Sequence, residues 1–206
     1  MGLISNSTTI FDAGAMAAGT GGSMVFIKKL TASSSATISF VDGTSDVVLD
    51  NTYKEYLFTF KNIHPATDNQ YLKFQGNAAG GSGYNETITS SSFYAYHEED
   101  DSPATLSYAT GNDQAQGTGF QTLSDEVGNE NDECCSGYLH LFNPSSTTFV
   151  KHFISNFSTY YGYGAGYITH SLIAGYFNTT SAIDEIQFKM GSGDIDAGDI
   201  CLYGIA

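Results

Sequence analysis

The sequence contains no arginine and no tryptophan, and its seven basic residues are all lysines: Lys28, Lys29, Lys54, Lys61, Lys73, Lys151 and Lys189. Against them stand 22 acidic residues, for a formal net charge of −15. Tight phosphate recognition draws on bidentate guanidinium contacts and a positive field, so nucleic acid and anionic membranes are poor partners for this surface. The acidity reads instead as solubility and self-repulsion. Proline is also scarce, with three residues in 206. No stretch approaches the ~20 apolar residues of a membrane-spanning helix. The first residues lack a basic segment leading into an apolar run, so no secretory signal is expected, and Asn6 stands where a myristoylation signal takes Ser or Thr.

Cysteine is limited to Cys134, Cys135 and Cys201. An odd number with two members adjacent makes no disulfide framework and, lacking nearby histidines at ligand spacing, a weak metal signal. Free thiols in a reducing cytoplasm are the expectation. The histidines His64, His97, His140, His152 and His170 show no ligand or catalytic spacing. Gly80-Gly81-Ser82-Gly83-Tyr84 fails the nucleophile-elbow pattern at its last position and reads as a turn. The alternating carboxylates of Asp194, Asp196 and Asp199 invite calcium but lack the length and terminal glutamate of an EF-hand loop, so a polar hairpin is expected. Carboxylate clusters such as Glu98-Glu99-Asp100-Asp101 read as solvated loops. Neither a cofactor, a metal nor a catalytic group is expected.

What the sequence does have is β material: 14 tyrosines, 14 phenylalanines and 23 glycines, with only 14% charged residues. Short runs of Val, Ile, Thr, Tyr and Phe alternate with Gly, Ser, Asn and Asp clusters, which is strand and turn punctuation. About a dozen strands emerge, among them Ser23–Lys29, Tyr53–Lys61, Thr87–His97, Gly119–Leu123, Thr147–Ser155, Ile168–Phe177, Ala182–Met190 and Asp199–Ile205. With no sustained 3.6-residue period, they predict an all-β fold: a two-sheet antiparallel sandwich of jelly-roll type. Residues 23–206 form one domain, and residues 1–22, rich in Gly, Ala, Ser and Thr, form an N-terminal arm that orders on assembly. Alternation predicts a buried face containing Phe58, Phe60, Leu139, Leu141, Ile186, Phe188 and Leu202. The last strand is apolar on both faces, which places it centrally or against a neighbouring subunit.

Two segments break the rhythm and read as exposed loops or insertions: Glu98–Cys135 and Phe157–Tyr167. The second holds Tyr160, Tyr161, Tyr163 and Tyr167 on a glycine-rich backbone, a composition that supplies large amphipathic contact area at low entropic cost. These four tyrosines are the candidate glycan or partner contacts, with edge packing or a subunit contact as the competing reading.

Four stretches read together, Leu3 to Gly14, Tyr53 to Asn77, Ser136 to Ser155 and Gly175 to Ile205, resemble small β-sandwich virion structural proteins of marine tailed bacteriophages. The resemblance implies a non-enzymatic protein of the virion surface, assembled in the host cytoplasm: a capsid decoration or cement protein, or a short appendage subunit. Its partners would be a major capsid protein or tail proteins, and further copies of itself, with a trimer favoured. Two alternatives stay open: a receptor-binding tail tip or fibre protein recognising a host surface glycan, and a polysaccharide depolymerase on a jelly-roll scaffold. Since no ligand spacing is convincing, excess chelator should leave the melting temperature unchanged. A large drop on calcium removal would restore the Asp194, Asp196 and Asp199 segment as a metal site.

Overall fold

Alternation of apolar and polar residues runs through almost every strand of the computed structural model. The structure describes residues 23–162 and 164–206 in full and, before them, only the backbone of three short strands, β1 (Leu3–Ser5), β2 (Thr8–Asp12) and β3 (Ala15–Met16), which pair as an antiparallel meander. The rest of the expected arm at 1–22, and Tyr163, lie outside the described residues. From there the chain forms β4 (Met24–Ser35), β5 (Ile38–Val41), β6 (Glu55–Pro65), β7 (Leu72–Ala78), β8 (Ile88–Glu98), β9 (Ala104–Tyr108), β10 (Ala115–Gly117), β11 (Gln121–Thr122), β12 (Cys135–Phe142), β13 (Lys151–Tyr161), β14 (Tyr167–Phe177), β15 (Ile183–Met190) and β16 (Ile195–Ile205). Among the described residues there is no helix.

Two antiparallel sheets pack face to face. The small sheet has the order β11-β7-β15-β5. The large one runs β4-β16-β6-β12-β13-β14-β8, with β9 and β10 both paired to the far side of β8. Eight of these strands, four per sheet, trace a jelly roll: β4-β16-β6-β12 opposite β5-β15-β7-β11, the chain crossing between sheets in the manner of paired Greek keys. The hairpin β13–β14 and the segment β8–β10 are insertions into this roll, and they widen the large sheet beyond β12. The sandwich expected from the sequence is therefore the fold, and β16, apolar on both faces, sits centrally between β4 and β6.

All seven residues expected on the buried face are buried, none more than 4% exposed. The centre is a group of phenylalanines. Phe188 of β15 lies with its ring centroid 5.0 Å from Phe60, 5.4 Å from Phe58, 6.2 Å from Phe40 and 6.4 Å from Phe74, drawing on both sheets at once. Most of these pairs meet edge to face, which the ring quadrupole favours by about 0.5–1.5 kcal/mol beyond area burial. Phe74 carries the packing outward to Phe153 of β13 and Phe177 of β14, so the inserted hairpin shares the same core.

Buried polar side chains hold the second insertion in place. Gln75 of β7 donates from Nε2 to the carbonyls of Glu86, Thr118 and Gly119, and its Oε1 accepts from Gly76 N. Gln121 donates to the Asn112 and Thr122 carbonyls and accepts from the Ser90 hydroxyl. Both are fully buried, so each clamp acts where a lost partner costs ~1–3 kcal/mol. Lys151, also 0% exposed, donates from Nζ to the carbonyls of Phe149 and Thr179, and burial pulls its pKa below the usual lysine value.

The strand boundaries correct the sequence reading at several points. The segment Phe157–Tyr167 is not a loop: β13 continues through Tyr161 and β14 starts at Tyr167, in unbroken register from Lys151↔Phe177 to Tyr161↔Tyr167. Its Phe, Thr and Tyr residues are strand formers, and the pairing runs as far as Tyr161 and Tyr167. The expected strand Thr147–Ser155 begins only at Lys151, and Gly119–Leu123 shrinks to Gln121–Thr122. Within Glu98–Cys135, expected to be loops or insertions, lie three short strands, β9 and β10 of the insertion and β11 of the roll. The expected hairpin at Asp194–Asp199 is mostly strand, because β16 begins at Ile195 and kinks at Gly198. There φ is +121°, and a Cβ would come within 2.6 Å of the Asn62 carbonyl. Asn62 itself has a φ of +51°, and the two strands change register together at this point.

The convergence of two sheets on Phe188 makes it the sharpest test of the core. Phe188→Ala should cost about 3–5 kcal/mol, read as a lowered denaturant midpoint at unchanged slope.

Candidate functional site

Two surfaces stand out once the core is accounted for. The first is the outer face of the large sheet. Register places Tyr203, Leu57, His140, Ile154 and Ala174 in one row across β16, β6, β12, β13 and β14, and Cys201, Thr59, Tyr138, Asn156, Leu172 and Phe93 in the next. None of the four strands of the small sheet lies on this side. Large apolar side chains are consequently left open: Phe26 is 57% exposed, Leu106 76% and Ile154 45%. Carboxylates on the same face are paired. Glu55 lies 2.9 Å from His140 Nε2, and Asp199 lies 2.7 Å from Lys61 Nζ and 3.4 Å from Lys29 Nζ. Asp199 also accepts from the Thr31 hydroxyl at 2.7 Å. The Lys61 bond, with that of Thr31, holds the Asp199 carboxyl well below the usual carboxylate range.

Two of the three carboxylates in the segment expected to be a polar hairpin rather than a calcium loop have partners of their own. Asp199 is occupied by two lysines and a threonine, while Asp196 faces His64 at 3.7 Å and accepts from Ser34. The thiols behave as the sequence suggested in one respect: all three cysteines are free, and burial pushes the Cys135 thiol up to about 12.

The second surface is a cleft of about 500 Å³ at the end of the sandwich where the inserted strands outrun the small sheet. One wall comes from Tyr94, Tyr96 and Glu98 of β8 with Tyr167 and Thr169 of β14; the other comes from Tyr71, just ahead of β7, and from Asp125 and Glu126 in the connection leaving β11. Tyr94 and Tyr96, two residues apart on one strand face, hold their rings within 22° of parallel at 6.3 Å, and Tyr167 tilts against Tyr96 at 6.1 Å. The Tyr71 hydroxyl donates to Glu126 Oε1 at 2.6 Å. Burial, aided by the nearby acids, raises the pKa values of Tyr71 and Tyr167 far above the ordinary tyrosine value, so both hydroxyls stay protonated. Burial also pushes the Asp125 carboxyl up, and the Glu126 charge adds to the shift. Thr169 is 1% exposed, and its hydroxyl hydrogen-bonds the Asp125 carboxyl, which partly offsets the rise.

Of the four tyrosines singled out in the sequence, the structure brings two together. Tyr161 and Tyr167 pair edge to face at 5.5 Å across the end of the hairpin, and Tyr167 reaches the cleft. Strand alternation sends Tyr160 to the opposite side of the sheet, and its hydroxyl lies 3.2 Å from where a Cβ on Gly166 would stand. Tyr163 lies outside the described residues. The sequence reading missed Tyr71, Tyr94 and Tyr96. The one legible signal was the Tyr94-x-Tyr96 spacing inside an expected strand, which puts two rings on one face. Comparison with protein-family profiles, with curated proteins and with solved structures finds no match for this chain.

The raised Asp125 carboxyl means that ionisation is disfavoured in the folded state. Above both pKa values the fold carries this cost in full, and stability falls as pH rises from the ordinary value of 3.8 through the raised one. Asp125→Asn should therefore raise the melting temperature at pH 7, with the difference from wild type shrinking to nothing as pH drops below 3.8.

Proposed function

We propose that this chain is a non-enzymatic structural subunit of a bacteriophage virion surface, a decoration protein or short appendage, that self-associates through the outer face of its large sheet. The observation that carries this reading is the open apolar face itself. Large apolar side chains left exposed on one sheet face, Phe26, Ile154 and Leu106 among them, favour an interaction site there. A second copy of the chain is the occupant favoured by charge. A molecule of net charge −15 repels its own copies over most of its surface, and here Asp199 is already paired with Lys61 and Lys29, while Glu55 lies against His140. Closed cyclic symmetry is the usual way for identical subunits to cover such a patch. The particle, and the preference for a trimer, come from the resemblance of four sequence stretches to phage virion proteins.

The test is a charge placed in the middle of the face. Wild-type protein should sediment as a closed oligomer, and Ile154→Glu should sediment as a monomer with unchanged circular dichroism. Antibodies against the chain should label intact particles. A wild-type monomer at every accessible concentration, or particles that take no label, would overturn the proposal.

A further inference from the structure

The geometry points to the tyrosine cleft as a binding site for a neutral saccharide. This is independent of self-association, since the cleft opens on the side of the large sheet that faces the small one.

The chemistry of the lining narrows the ligand. Tyr94 and Tyr96 present two nearly parallel rings and Tyr167 a third at an angle, which offers flat apolar faces to the C–H surface of a pyranose ring. Around these rings stand Glu98, Asp125 and Glu126, acceptors that pair naturally with sugar hydroxyl protons, while the Tyr71 and Tyr167 hydroxyls remain protonated. Thr169 adds a buried hydroxyl beside the Asp125 carboxyl, to which it hydrogen-bonds. A volume of about 500 Å³ falls in the range of small-molecule sites and suits one or two sugar rings, whereas a lone ammonium group would leave most of it unfilled. Among the described residues, no lysine or histidine lines the cleft. Three carboxylates without a cation reject uronic acids, sialic acids and phosphorylated sugars by like-charge repulsion.

Isothermal titration of the full chain at pH 7 against di- to tetrasaccharides of glucose, galactose and mannose provides the test, with trigalacturonate as the acidic arm and choline as the cationic one. At least one neutral oligosaccharide should bind, and trigalacturonate and choline should not. Tyr96→Ala should weaken that binding about tenfold, the loss of one aromatic face. Glu98→Gln, which keeps shape and removes charge, should weaken it while leaving the melting temperature within a degree or so, because its carboxylate is at the cleft rim rather than in the core. Binding of trigalacturonate or choline in preference to every neutral sugar, no saccharide binding at all, or binding untouched by both substitutions would overturn the assignment. Cleavage of the bound saccharide would uphold the cleft and overturn the non-enzymatic reading above, so the two proposals fail separately.

Discussion

Everything in this molecule hangs on the contact of Phe188 with four other phenylalanines drawn from both sheets. A β-sandwich is held by side chains interdigitating across a gap of about 10 Å, and aromatic rings are long enough to reach over it. Because Phe188 belongs to the small sheet and Phe58 and Phe60 to the large one, their packing sets how the sheets lie over each other. Phe74, Phe153 and Phe177 extend the same cluster under the inserted hairpin. The insertions are thus part of the core and cannot swing independently of the roll.

That anchoring gives the cleft its rigidity. Tyr94, Tyr96 and Tyr167 lie on strands whose inner-face residues nearer the core are buried, and Gln75 and Gln121 tie the neighbouring segments to the small sheet through buried hydrogen bonds. Sites placed on strands and braced by buried polar contacts hold their geometry better than sites on free loops. The open face of the large sheet follows from the same architecture. The small sheet can cover only one side, so widening the large sheet by β13, β14 and β8 enlarges the uncovered side as well. The cleft lies where the insertions exceed the jelly roll, and the open face runs across roll and insertion strands alike.

Period-two alternation made the sandwich and its buried face legible from residues alone, since alternation is a local consequence of backbone geometry and needs no knowledge of partners. Phe58, Phe60, Ile186 and Phe188 could be assigned inward because their neighbours Thr59, Lys61, Gln187 and Lys189 are polar. The same local rule exposed β16 as unusual, with Ile200 and Leu202 on one side and Cys201, Tyr203 and Ile205 on the other. Glycine density misled at Phe157–Tyr167: the glycines sit only at the turn, and the Phe, Thr and Tyr residues before them continue the strand.

The sequence by itself determined the fold class and the inward face of the main strands, because both depend on composition or on neighbours one or two residues apart. Tertiary structure alone decided the cleft and the open face. Tyr71, Tyr96, Asp125 and Tyr167 are separated by tens of residues and meet only because β14 pairs with β8 and the connection after β11 folds back over them. The pairing of Asp199 with Lys29 and Lys61 likewise depends on two strand pairings. Such juxtapositions are set by long-range strand register, which no local pattern of residues encodes.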